Sequence, residues 1–277
     1  MAKGKKKTAK KGAKSAAPVV KSVLSKRLDG VSESATLKLN AAVQALKAQG
    51  VDVINLTAGE PDFNVPDAVK AAVREALDAN RSKYTPAAGV PELRHAVADK
   101  TNRQQPSLAA QNGAWKSADV ILTNGGKQAI FNALLSLINP GDEVLIVSPY
   151  WLSYPEMVKL AGGKPKFLNT TYKAGFKLTP AQLRRALGPK TKAIILNSPS
   201  NPSGVMYSKD ELAALGREIE KFKKCWVISD EIYDRIVFGE VPFCSFLESS
   251  PQLRERCVTV NGLSKSCLLY TSPSPRD

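Results

Sequence analysis

Residues 192–204, KAIILNSPSNPSG, and 225–234, CWVISDEIYD, decide the fold. Each opens as a short aliphatic run and closes in a cluster of small and polar residues. Between them, SKDELAALGREIEKF (208–222) repeats its apolar residues at helical spacing behind a serine suited to a helix start. Strand, helix and strand in that order argue for an α/β sheet with parallel strands.

The same alternation runs in both directions along the chain. Further strand-like runs are DVINLTAG (52–59), DVILTNG (119–125), EVLIVSPY (143–150) and CVTVNGLS (257–264). Helical periods fill PDAVKAAVREALDA (66–79), VPELRHAVADKTNR (90–103), KQAIFNALLSLI (127–138) and TPAQLRRALG (179–188). Most strand ends carry small or polar residues: TAGEPDF, TNGGKQ, SPYW, NSPSNPSG, SDEIYD and NGLSKS. In an open α/β sheet the strand ends form the ligand crevice, so these clusters mark one shared site.

Composition narrows the class of protein. The 277 residues are 43% hydrophobic and 23% charged, enough for one large domain or two modest ones. No apolar run approaches the roughly 20 residues of a bilayer span, so an integral helical membrane protein is not expected. The basic N-terminus lacks the apolar stretch of a signal peptide, which makes the cytoplasm the expected location. The net charge of +15 is unevenly placed: residues 1–27 hold ten basic side chains and no acid. Residues 1–21 therefore read as a basic, disordered tail. Residues 1–27 could touch nucleic acid weakly and nonspecifically, or act only as a solvated arm.

Four cysteines without a C-x-x-C pair, and a single histidine, argue against a zinc site or a disulfide framework. A Ser-His-Asp or Cys-His mechanism would have to rest on His95, in a helical period where an ordinary helix histidine is expected.

Single clusters have ordinary structural uses. A GG turn can be plain helix entry, SDE a helix cap, and a tryptophan beside a tyrosine core. Their order is more specific. AGEPDF (58–63), KYTPAAGVPELR (83–94), GGKQA (125–129), SPYWLSYPEM (148–157), NSPSNPSG (197–204), SDEIYD (229–234) and NGLSK (261–265) together resemble the fold-type I pyridoxal-phosphate enzymes, and within them the class I/II aminotransferases on the aspartate aminotransferase side. The resemblance covers about residues 22–266.

The resemblance implies a large domain with a mixed, mostly parallel sheet flanked by helices, and pyridoxal 5'-phosphate as cofactor. It places Lys265 at the family's Schiff-base lysine, which also shuttles protons. Asp230 matches the acid that pairs with the ring nitrogen. Tyr233 and Asn201 match the donors to the ring oxygen O3′. Gly126 and Lys127 match the helix entry that grips the phosphate, where backbone N–H groups and the helix dipole favour an anion. Trp151 matches the aromatic stacked on the ring, and Ser264 also falls among the cofactor-binding positions. Gly59 matches a main-chain contact to the substrate carboxylate, for which Trp151 and Asn201 are also expected to serve. Tyr84 matches a tyrosine reaching the phosphate of a neighbouring subunit, which implies a homodimer. Pro149 and Pro202 match positions that are often cis. No metal is implied.

The expected function is transamination between an amino acid, with an aspartate-like donor favoured, and a 2-oxo acid such as 2-oxoglutarate, a step of amino acid metabolism. A C–S lyase of the same fold and a non-catalytic basic protein associated with nucleic acid are the alternatives.

The match breaks after Lys265. The family continues to an arginine on the phosphate and to a C-terminal small domain with an arginine on the substrate α-carboxylate. Here Cys267 onward follows instead, and Arg276 has the wrong surroundings. CLLYTSPSPRD (267–277) reads as the translation of a sequencing adapter. The expected layout is a tail (1–21), an N-terminal arm with part of a small domain (22–58), an incomplete cofactor-binding large domain (59–266) and a scar (267–277). On that layout the C-terminal small domain is missing, and weak cofactor binding with little turnover is expected.

Overall fold

The computed structural model describes residues 25–28, 30–32, 35–55, 59 and 63–268. The expectations for the basic tail, and for all but Cys267 and Leu268 of the C-terminal stretch, fall outside the described residues.

Four helices come first: α1 (Ala35–Ala48), α2 (Asp67–Asp78), α3 (Pro91–Gln104) and α4 (Pro106–Asn112). They are followed by α5 (Gly125–Leu137), β1 (Glu143–Ser148), α6 (Ser153–Leu160), β2 (Lys164–Asn169), α7 (Pro180–Ala186) and β3 (Thr191–Asn197). The last elements are α8 (Lys209–Glu220), β4 (Trp226–Asp230), α9 (Phe246–Ser249), β5 (Cys257–Val260) and α10 (Leu263–Ser266).

The strands form one sheet in the order β2-β1-β3-β4-β5, with every adjacent pair parallel. The antiparallel component of the expected mixed sheet does not occur among the described strands. From β1 the chain winds outward to β2 and then returns to β3 on the other side, so the topology switches direction between β1 and β3. Such a switch opens a crevice at the carboxyl ends of the strands.

Alternation explains why the sheet is covered on both faces. Leu145, Ile194, Leu196 and Val227 point to one side, where they meet Leu183 of α7, Leu212, Leu215 and Ile219 of α8, and Phe246 of α9. Val144, Ile146, Ala193, Ile195, Ile228 and Val260 point to the other, against Ile130 and Leu134 of α5 and Tyr154, Met157 and Val158 of α6. Each fully buried aliphatic side chain contributes about 1.5–3 kcal/mol.

Helix starts follow the local sequence. Thr179 with Gln182 opens α7 and Ser208 with Glu211 opens α8, each as a reciprocal capping box. All five expected helical periods form helices.

Among the described residues, two expected strands do not form. Within 119–125, Ile121 is 72% exposed and the Leu122 amide bonds back to the Ala88 carbonyl, a loop rather than a strand. Residues 51–55 have no regular structure, and Ile54 is exposed. An apolar run becomes a strand only beside a partner in register. Conversely, β2 (KPKFLN) lacks an apolar signature because it is an edge strand, where proline and lysine are at home and only Leu168 is buried.

Candidate active site

Strands β1, β3, β4 and β5 deliver their polar clusters to the same end of the sheet because they are parallel. The centre is Asp230, the last residue of β4, which is 4% exposed. Its Oδ2 accepts the Tyr154 hydroxyl hydrogen at 2.5 Å, and its Oδ1 accepts the Ile232 amide at 3.2 Å. Burial pushes the Asp230 carboxyl upward, while these two donors hold it down. The Tyr154 phenol is pushed well above its ordinary range by burial and by the Asp230 charge.

A continuous row of contacts extends from Asp230 in both directions. On one side Tyr154 meets Trp151 edge to face, with centroids 5.4 Å apart. Lys127 Nζ then lies 5.1 Å from the Trp151 ring centroid. Lys127 sits in the first turn of α5, entered through Gly125 at φ +78°, a backbone conformation that favours glycine. Asn124 supplies no side-chain cap there.

On the other side, β3 and β4 pair Asn197 with Asp230, and the Asn197 amide donates to the Asp230 carbonyl at 2.9 Å. Asn197 Oδ1 accepts the Asn201 backbone amide at 2.7 Å, and the Asn201 side-chain amide reaches the Tyr233 hydroxyl at 3.3 Å. Lys265 Nζ lies 5.9 Å from the Tyr233 ring and donates to the Gly59 carbonyl at 2.8 Å.

Seven residues expected from the sequence therefore fall in one row: Lys127, Trp151, Asp230, Asn201, Tyr233, Lys265 and Gly59. Gly126 and Ser264 flank it as chain neighbours of Lys127 and Lys265. Tyr84 lies in the loop before α3 and is 92% exposed. The peptide bonds before Pro149 and Pro202 are cis, and so is the one before Pro199, which was not expected.

Two members of the row were not anticipated, Tyr154 and Asn197. Both lie within the quoted motifs SPYWLSYPEM and NSPSNPSG, so residue type alone could have nominated them. Their partners depend on register and helix placement. His95 lies exposed on α3, away from the row. Among the described residues no cluster of three or more metal-ligating side chains occurs.

The arrangement fits pyridoxal 5'-phosphate by the chemistry of its donors. Asp230 is a buried carboxylate whose hydrogen-bond donors are a phenol and an amide, both neutral, and it suits a protonated ring nitrogen. Trp151 offers an aromatic platform, Asn201 and Tyr233 offer donors, and the α5 entry suits a phosphate. Lys265 supplies the amine.

An open parallel sheet with this row at its carboxyl ends is the architecture of the fold-type I pyridoxal-phosphate enzymes. The family described as "Aminotransferase class I and II" matches residues 51–271. The chain belongs to that family. It is 45% identical over 244 residues to the aspartate/prephenate aminotransferase of Cereibacter sphaeroides, covering 88% of this chain and 59% of that one. It is 42% identical to the aspartate aminotransferase of Bacillus subtilis, covering 88% and 60%. Among solved structures, the Thermus thermophilus aspartate aminotransferase with maleate superposes with a TM-score of 0.82 at 43% identity, covering 89% of this chain and 62% of that one. The chain thus spans about 60% of the length of the curated relatives it matches.

Proposed function

We propose that this chain is part of an aminotransferase that moves the amino group of an aspartate-like donor to a 2-oxo acid such as 2-oxoglutarate, in the cytoplasm, in a biosynthetic step of amino acid metabolism. The observation that carries the proposal is the unbroken row from Lys127 through Asp230 to Lys265. The likeness to aspartate and aspartate/prephenate aminotransferases supports the donor class.

Pyridoxal 5'-phosphate, when bound, supplies an electron sink that lets the Cα–H bond of the amino acid break. The described residues of this chain supply part of the rest. Lys265 would hold the cofactor through its amine and, once the substrate amine has displaced it, its Nζ would carry the proton from Cα to the cofactor carbon C4′. Asp230, whose carboxylate the Tyr154 and Ile232 donors favour against the upward push of burial, would hold the proton on the ring nitrogen. Tyr233 and Asn201 donate to the ring oxygen. Trp151 orients the ring, the α5 entry at Gly126 and Lys127 holds the phosphate, and Ser264 is a further cofactor contact. Gly59 meets the substrate carboxylate. The exposure of Tyr84 suits a side chain that reaches the phosphate of a second subunit, so the working unit is a homodimer.

The test begins with pyridoxal phosphate added to the purified chain, borohydride reduction and peptide mapping. A label on Lys265 that is lost in Lys265→Ala supports the reading. Formation of oxaloacetate and glutamate from aspartate and 2-oxoglutarate then establishes the transfer. A label spread over surface lysines would overturn the site. Pyruvate and ammonia formed from a cysteine-type substrate without an acceptor acid would replace transfer with C–S cleavage.

A further inference from the structure

The turn Asp230–Asp234 divides its side chains between two directions. Asp230 and Tyr233 enter the contact row, whereas Glu231 and Asp234 are buried in the opposite direction. Glu231 Oε1 accepts three hydrogens: from the Ser229 hydroxyl at 2.8 Å, the Ser245 hydroxyl at 2.9 Å and the Phe246 amide at 3.0 Å. Ser245 Oγ in turn accepts from Gln105 Nε2 at 2.8 Å. Gln105 is 1% exposed and is the joint residue that ends α3 and begins α4. Its neighbour Gln104 donates to Asp234 Oδ2 at 3.0 Å, beside Lys100 Nζ at 2.9 Å.

Two consecutive side chains at one helix joint are therefore linked to two carboxylates on either side of Tyr233, Gln104 to Asp234 directly and Gln105 to Glu231 through the Ser245 hydroxyl. Burying carboxylates costs stability unless they are well bonded, and three donors on one oxygen fix both position and direction. Nothing in the expected cofactor chemistry uses Glu231 or Asp234.

We infer that Glu231 and Asp234 are positioning residues, which tie the turn carrying Asp230 and Tyr233 to the α3–α4 joint and so set the aim of both cofactor-facing groups. The part of this inference that concerns the cofactor rests on the function proposed above; the mechanical part does not.

The test compares the full chain with Glu231→Ala, Glu231→Gln and Gln104→Ala. Amide hydrogen exchange without cofactor reads the turn at 230–236 against β3 as an internal reference. Glu231→Ala is expected to speed exchange in the turn by about tenfold while β3 is unchanged. Gln104→Ala moves it in the same direction by a smaller factor. Glu231→Gln keeps an acceptor oxygen and restores near-native exchange. With pyridoxal phosphate bound, the pH midpoint of the visible band rises by about half a unit or more in Glu231→Ala, because the donors that favour the ionised form are no longer aimed. Unchanged exchange in the turn, or an equal increase in β3, overturns the inference. Should Glu231→Ala fail to fold, Gln104→Ala and Glu231→Gln decide by the same comparison. A native chain with no cofactor band counts against the proposed function, while the exchange data still decide the positioning role.

Discussion

Tyr154 donates its phenolic hydrogen to Asp230 Oδ2 across 2.5 Å, although 76 residues separate the two in the chain. Both side chains are buried, so water cannot replace either partner. Hydrogen bonds to a charged group contribute about 1.5–3 kcal/mol. Tyr154→Phe is expected to lose about that much stability in urea unfolding, and to weaken pyridoxal phosphate binding by about tenfold as the Asp230 carboxyl moves further upward. A variant as stable as the native chain and binding cofactor equally well would show that this bond contributes to neither.

Glu231 gives the molecule a pH-dependent stability of definite sign. Complete burial pushes its carboxyl up to about 7, against the pull of the Phe246 amide and the two serine hydroxyls. The neighbouring groups do not titrate in that window: Asp234 is held low, the Cys244 thiol is pushed up to about 11, and the Cys257 thiol is raised. A carboxyl raised on folding contributes stability that is fully present below its ordinary value and lost as pH climbs to the folded one. The native chain is therefore expected to lose on the order of 3 kcal/mol between about pH 4.5 and 7 from this group alone. Glu231→Gln removes that loss, so the gap between the two chains in urea midpoint widens with pH. Parallel pH profiles would be inconsistent with a raised Glu231.

The helix α8 contains a glycine chosen for space rather than for backbone freedom. A Cβ on Gly216 would stand 2.0 Å from Ser250 Oγ and 2.8 Å from Ser250 Cβ. Alanine ordinarily favours a helix over glycine by about 1 kcal/mol. Here the overlap reverses the sign, and Gly216→Ala is expected to destabilise by about 1–3 kcal/mol. Pairing it with Ser250→Gly should recover most of the loss, and failure to recover would place the cost elsewhere.

The thiols divide by depth. Cys225 and Cys257 are buried in the core, and burial pushes the Cys225 thiol up to about 12. At pH 8 the thiolate fraction of Cys225 is on the order of one in ten thousand, before access is considered. Both residues should react with a thiol reagent only as fast as the protein unfolds, with Cys267, which is partly exposed, ahead of them. Immediate labelling of Cys225 or Cys257 would contradict the packing of β4 and β5.

What the sequence discloses, and what it withholds, divides along a physical line. The central strands β1, β3 and β4 are legible because burial on both faces demands unbroken aliphatic runs, as in VLIV, AIIL and WVIS. The edge strand β2 has one face to fill and its composition looks like a loop. DVILTN has the right residues and no strand beside it. The residues of the contact row are legible because a parallel sheet gathers its carboxyl-end clusters at one edge. Tyr154, Asn197 and the Glu231 to Gln105 link are not, because each depends on which residues fold beside one another across long separations.

The row from Lys127 to Gly59 has a consequence for how this chain can change. Among the described residues, Trp151 and Tyr154 connect Lys127 to Asp230, and Tyr233, Asn201 and Asn197 connect Lys265 to it. Residues in direct contact do not respond independently to substitution. The effect of a replacement at one end is therefore contingent on which residues occupy the middle. A pair of changes tolerated in one order can be barred in the other, so the history of the site constrains its future as firmly as its chemistry does.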